Sequence, residues 1–218
     1  MRWLESAVPP RSSPRPEPAA LSTVLAALPL AVPTREPWAA LAAAELPTFL
    51  ADHAVCEQQV AAFALSLAAH YPEDHELVEQ AAALALEEVQ HFRRVVRILH
   101  RRGYPTAGRR PNRWVQALRG RIVAGREPWT KVDRLLFGAL VEARSCERFT
   151  RLLAAIDDGE VARLLHDLGP AEQRHWELFY RLAGRDVDAA ELEERWQGWL
   201  AFEGELQSRA GVEPTVHG

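Results

Sequence analysis

The stretch ALALEEVQHFRRVVRILH, residues 83–100, decides the fold. Leu84, Glu88, His91, Val95 and Leu99 recur in steps of three and four, so they share one face of a helix. On a surface helix that face is apolar and meets the core. Here Glu88 and His91 interrupt it where a Leu or Val would otherwise stand. Followed backwards, the stripe takes in Leu77 and Ala81. The helix so predicted starts near Asp74 and stops around Gly103-Tyr104-Pro105.

A second stretch repeats the pattern. Val161, Leu165, Leu168, Glu172, His175, Phe179 and Leu182 form another apolar stripe broken by Glu and His. Each Glu-x-x-His helix follows a helix carrying one acid on its own stripe. The earlier of these has a lead-in from about Trp38, restarts at Pro47, a good first-turn residue, and reads Leu50, Ala54, Glu57, Ala61, Leu65, Ala68. The later reads Leu135, Ala139, Glu142, Cys146, Phe149, Leu153. Glu57 precedes Glu88 by 31 residues and Glu142 precedes Glu172 by 30, which is a degenerate internal duplication. A lone Glu-x-x-His is weak, since 8 His in 218 residues supply about one match by chance. Its repetition on apolar stripes carries the weight.

Short links within each helix pair and a long connection between them, broken by Gly108, Pro111, Gly120, Gly125 and Pro128, predict an all-α fold. It is the ferritin-like four-helix bundle with a long crossover. An extra C-terminal helix runs from about Asp188 to Arg209, with Trp196, Trp199 and Leu206. The 48% hydrophobic content, with sparse glycine and few Val/Ile/Thr alternations, agrees. Residues 1–37 hold eight of the 15 prolines and read as a mostly irregular arm, leaving 38–218 as the bundle. Gly169-Pro170, one turn before Glu172, is expected to kink or restart its helix.

Four carboxylates on inward faces cannot stay charged without compensation. Two divalent metals balance them, and two imidazoles complete the shell. Glu57, Glu88, His91, Glu142, Glu172 and His175 are therefore the candidate ligands. Mixed oxygen and nitrogen ligation suits iron or manganese better than copper or zinc, and a bundle with this ligand set is a known di-iron type. Glu147 rivals Glu142 but lies about 140° round the helix and breaks the matched spacing. Glu87, one turn before His91, either holds that imidazole or is a solvated charge. Cys56 and Cys146 flank ligand positions and receive no role.

The crossover is basic. Arg93 to Arg134 contains thirteen Lys/Arg against Glu127 and Asp133, a net +11 in a chain of net charge -4. Arg109, Arg110, Arg113 and Arg119, with Trp114 among them, could track phosphates and stack a base. Alternatively they form a solvated face with some arginines paired to acids. The two cysteines, 90 positions apart, exclude a CxxC metal site and fit a reducing cytoplasm. Residues 19–32 resemble a signal core, but Glu17, the prolines and the lack of a cleavage site speak against export. No apolar run reaches a membrane span. Gly120 to Gly125 has P-loop spacing but continues Arg126-Glu127, and no G-x-G-x-x-G occurs, so no nucleotide cofactor is expected.

At these residues the chain resembles the tRNA 2-methylthio-N6-isopentenyladenosine hydroxylases, the MiaE family. The resemblance runs from about Leu28 onward. It includes Pro33-Thr34 to Trp38, Asp52-His53-Ala54-Val55-Cys56-Glu57, Glu87-Glu88-Val89-Gln90-His91-Phe92 and Ala171-Glu172-Gln173-Arg174-His175. Its most specific part is Glu142-Ala143-Arg144-Ser145-Cys146-Glu147-Arg148-Phe149, preceded by Val132 to Leu136. The resemblance implies a non-haem di-iron centre on the same six ligands and O2 as co-substrate. It also implies a tRNA substrate hydroxylated on its isopentenyl side chain beside the anticodon, and an external electron donor. The alternative is another ferritin-like oxidase, a ferroxidase or peroxidase, without a nucleic-acid substrate.

Overall fold

The computed structural model describes residues 18–106 and 111–217. These form eight helices: α1 (Pro18–Ala27), α2 (Pro37–Ala44), α3 (Leu46–His70), α4 (His75–Arg101), α5 (Arg113–Arg121), α6 (Trp129–Ala155), α7 (Gly159–Ala183) and α8 (Ala189–Arg209). Among the described residues no strand occurs, and no helix is long and apolar enough to cross a membrane.

Side-chain caps start four of the helices. Asp74 accepts from the N–H of Leu77, Asn112 from Val115, Asp158 from Glu160 and Val161, and Asp188 from Ala190. Each satisfies an amide that the first turn leaves without a partner. α3 packs along α4, and α6 along α7. α1, α2 and α8 all lie against α6.

Two apolar clusters fill the bundle. One gathers Leu67, Leu77, Leu84, Leu135, Leu140, Phe179 and Leu182. The other gathers Phe49, Leu50, Val95, Leu99, Phe149, Leu165 and Leu168. On each long helix the six candidate ligands fall between residues of the first cluster and residues of the second. The fold therefore places one polar layer in the middle of an oily column.

Three details differ from the sequence reading. The segment read as an irregular arm contains α1, where Pro18 at the first position is followed by an Ala/Leu run that favours helix. The crossover, read as broken, contains α5. Leu65 is 54% exposed, and the inward face of α3 continues through Ala64, Leu67 and Tyr71 instead. A further step of four after Ala61 over-rotates the 3.6-residue period, whereas a step of three restores it. The helix does not restart at Gly169-Pro170, and Pro170 lies inside α7. The Cys146 thiol donates to the Gly169 carbonyl (3.5 Å), next to the interrupted hydrogen-bond ladder.

The corrected register has a measurable consequence. Leu67→Ala should cost about 2–5 kcal/mol, whereas Leu65→Ala should stay within about 0.5 kcal/mol of the parent. Denaturant midpoints compare the two, and equal losses would restore the register that buries Leu65.

Candidate metal centre

The six residues converge. Ligand atoms of Glu57, Glu88, His91 and Glu172 all lie within 4.8 Å of one another, as do those of Glu88, Glu142, Glu172 and His175. Glu88 and Glu172 belong to both groups, the arrangement expected of carboxylates shared by two ions. His91 Nδ1 stands 3.4 Å from Glu57 and 3.8 Å from both Glu88 and Glu172. His175 Nδ1 stands 2.7 Å from Glu88 and 3.9 Å from Glu142. The two imidazole rings are 6.0 Å apart.

The site fits cations better than it fits itself. Glu57 Oε2, His91 Nδ1, Glu142 Oε1 and Glu172 Oε1 are buried without a hydrogen-bond partner, and Glu88 Oε1 and His175 Nδ1, 2.7 Å apart, have only each other. Ligand atoms left so in one layer are what a metal pair would satisfy, since buried polar groups otherwise find partners. Burial raises the Glu57, Glu142 and Glu172 carboxyls above their usual range; Glu88 adds to the shift at Glu57, and Glu172 adds to that at Glu142. Burial opposes the charge of Glu88 too, but hydrogen bonding with Glu57 and the imidazoles outweighs it and holds that group low. Burial also opposes a charged His175, yet Glu88, Glu172 and Glu87 raise it to about 9.

Glu147 has a different task. Its carboxylate accepts from Arg144 (2.5 Å), from the Thr34 hydroxyl (2.6 Å) and N–H (2.8 Å), and from Arg151 (2.6 Å). Burial would raise its pKa, but Arg144 and Thr34 hold it below the usual range. Glu147 is thus compensated by protein, and Glu142 is not.

Glu87 does hold an imidazole, but that of His175 (2.9 Å) and not His91. α4 and α7 face each other across the layer, so the carboxylate reaches the other half of the duplication. Such a contact fixes ring orientation and leaves Nδ1 for a metal. His53 was missed. It is fully buried and sits 2.5 Å from Glu57 through Nε2, and burial lowers its pKa to about 3. It lies one turn before Glu57, within the segment Asp52 to Glu57 that carries part of the resemblance.

A pocket of about 430 Å3, its open mouth included, reaches Glu142 from outside. Val60, Phe63, Val115, Phe137 and Val141 give it an apolar lining, with Cys56, Gln59, Asn112, Arg119 and His217 also present. Gln59, Phe63 and Arg119 continue into a surface groove with Gln58, Ala62 and Ser66. The basic crossover is partly spent on ion pairs: Arg94 with Asp167, Arg101 with Glu160, Arg102 with Asp158 and Glu160, and Lys131 with Asp74 and Asp186. Arg113 and Arg119 are exposed on α5. Trp114 is not available to stack a base, because it is buried and its ring stacks on His217 at 4.9 Å. An α5 helix turns position 114 inward while 113 faces out. Arg109 and Arg110 lie outside the described residues.

A ferritin-like bundle with paired Glu and Glu-x-x-His helices around a buried layer defines the class of carboxylate-rich dimetal proteins. A solved structure described as protein 43 with aldehyde deformylating oxygenase activity from Synechococcus superposes with a TM-score of 0.82. It is 30% identical, and the match covers 86% of this chain and 94% of that one. The chain belongs to the family tRNA-(MS[2]IO[6]A)-hydroxylase (MiaE), whose model matches residues 22–218. A tRNA 2-(methylsulfanyl)-N(6)-isopentenyladenosine(37) hydroxylase of Pseudomonas putida is 39% identical over 75% of this chain and 78% of its own. The Salmonella typhimurium protein of the same name is 29% identical over 62% of this chain and 49% of its own.

Two outcomes follow from the compensation of charges. Glu142→Ala should lose most bound metal while Glu147→Ala keeps it and melts earlier, measured by elemental analysis and thermal unfolding; equal metal loss would unseat Glu142. Metal uptake should also release protons, because Glu57, Glu142 and Glu172 hold theirs above the usual carboxylate range and His175 holds its own up to about 9. Rising pH removes those competing protons, so apparent affinity should climb from pH 6 towards 9. Calorimetry in buffers of different ionisation enthalpy measures the release, and uptake without protons would contradict the assignment.

Proposed function

We propose that the protein is an O2-dependent non-haem di-iron monooxygenase that hydroxylates the isopentenyl side chain of 2-methylthio-N6-isopentenyladenosine next to the tRNA anticodon. The observation that carries this reading is the apolar pocket ending at Glu142, inside a chain of the MiaE family. Glu57 and His91 would hold one iron and Glu142 and His175 the other, with Glu88 and Glu172 shared. Two irons and O2 supply the oxidising power that an unactivated C–H bond demands.

The chain's own residues do the rest. Val60, Phe63, Phe137 and Val141 offer the prenyl group a dry wall and exclude water from the reacting carbon. Gly138 lets α7 come close: a Cβ there would meet the Phe179 ring at 3.0 Å. Glu87 keeps the His175 ring turned to the metal layer. The target base belongs to a single-stranded loop, where it can be splayed into a pocket without opening a duplex. Arg119 stands at the mouth with its guanidinium over the Phe137 ring (5.7 Å), placed to meet a phosphate beside the entering base. Arg113 extends the same exposed face of the crossover. A tRNA substrate is met in the cytoplasm. Electrons come from an external donor of the ferredoxin or reductase type, in keeping with a sequence that lacks a nucleotide-cofactor fingerprint.

Iron-loaded protein, given tRNA bearing the unhydroxylated base, O2 and dithionite or a ferredoxin pair, should yield the hydroxylated nucleoside by mass spectrometry. NADPH alone should not support turnover. Turnover of an aliphatic aldehyde with no change to the tRNA nucleoside would refute this reading.

A further inference from the structure

Residues 211–217 return to the bundle after α8. Arg148 donates to the carbonyls of Thr215 (3.1 Å) and Val216 (2.6 Å). Asp52 accepts from the Val216 N–H (2.8 Å), and the Trp38 indole donates to the Thr215 carbonyl (3.0 Å). Three buried side chains from three helices thus fix the backbone of this segment. They deliver His217 into the wall of the pocket that reaches Glu142.

The imidazole is 2% exposed. Trp114 lies flat against one face, with planes 2° apart. Nε2 is 3.2 Å from the Ser145 hydroxyl. Ser145 follows Glu142 by three residues, about one turn along α6, and His217 and Glu142 line the same pocket. Nδ1 is buried and has no hydrogen-bond partner. Burial, then the charges of Arg148 and Arg144, keep the ring neutral, with a pKa well below that of an ordinary histidine. A phenylalanine would fill the same space under Trp114 without leaving a buried nitrogen unsatisfied, and a buried nitrogen without a partner is disfavoured unless something meets it.

We propose that His217 is a substrate-positioning residue: its neutral Nδ1–H donates a hydrogen bond to an acceptor nitrogen of the purine ring when the prenyl group lies against Glu142. Ser145 donates to Nε2 and so keeps the proton on Nδ1. The segment 211–217 is then a wall of the substrate site, held by Arg148 and Asp52, and not a tail. This rests on the hydroxylase reading above.

The test separates the two nitrogens. His217→Phe keeps the stack and removes both, His217→Asn keeps an amide near the Nδ1 position, and His217→Gln keeps one near Nε2. Under argon, without turnover, quenching of tryptophan fluorescence by an anticodon stem-loop carrying the modified base gives Kd for each iron-loaded variant. His217→Phe should raise Kd and KM about tenfold while iron content stays at the parent value, and His217→Asn should recover more of the affinity than His217→Gln. Parent-like Kd and KM in His217→Phe would make the ring a mere filler. If that variant does not fold, the other two still decide: recovery by Gln equal to or better than Asn overturns the proposal. Wild-type protein that binds no stem-loop at all would instead sink the hydroxylase reading itself.

Discussion

Four carboxylates in the centre of an apolar column are the constraint to which the rest of this molecule answers. Glu57, Glu88, Glu142 and Glu172 sit between two hydrophobic clusters, each at most 4% exposed. Water cannot solvate them, and protein donors do not reach all their oxygens. Their mutual repulsion in a medium of low dielectric is large. Protons relieve it in part, which is why burial raises three of the four. Two dications would balance it fully, and the shared positions of Glu88 and Glu172 would suit a pair better than two separate sites.

α6 bears the consequences. From Thr130 to Thr150 nearly every residue is buried, so the helix has no solvated face. Its run Glu142 to Phe149 divides its work by direction. Glu142 faces the carboxylate layer, Ser145 meets His217, and Cys146 reaches α7. On the far side Arg144 clasps Glu203 of α8 through Nε and Nη2 and donates to the Val32 carbonyl. Arg148 takes the segment after α8, with its guanidinium over Trp38 at 5.0 Å. A helix buried all round must pair its charges locally. The charged residues next to Glu142 are therefore a packing device for α2, α8 and the terminal segment, which keeps the ligand helix rigid. Removing one partner would leave a buried charge uncompensated.

The periodicity made the four long helices and the convergence of the six candidate ligands legible, because a carboxylate on an apolar stripe can face only inward. Glu142 against Glu147 was separable by spacing alone, and geometry adds the reason: Thr34 and Arg144 compensate Glu147, whereas Glu142 Oε1 is buried without a partner. Partners across the bundle were not legible. Glu87 lies one turn from His91 in sequence, yet meets His175, since contacts between α4 and α7 depend on helix placement. Trp114 reads as a stacking aromatic among arginines, but the orientation of a short helix such as α5 is set by what it packs on. His217 gave no signal either, because its position depends on a return path fixed by Arg148 and Asp52.

Anomalous scattering from an iron-loaded crystal would show whether one carboxylate layer holds a pair of metal ions. Two peaks are expected. One should lie among Glu57, Glu88, His91 and Glu172, and the other among Glu88, Glu142, Glu172 and His175, with both bridged by Glu88 and Glu172. A single peak, or a second ion bound by Glu147 in place of Glu142, would contradict it.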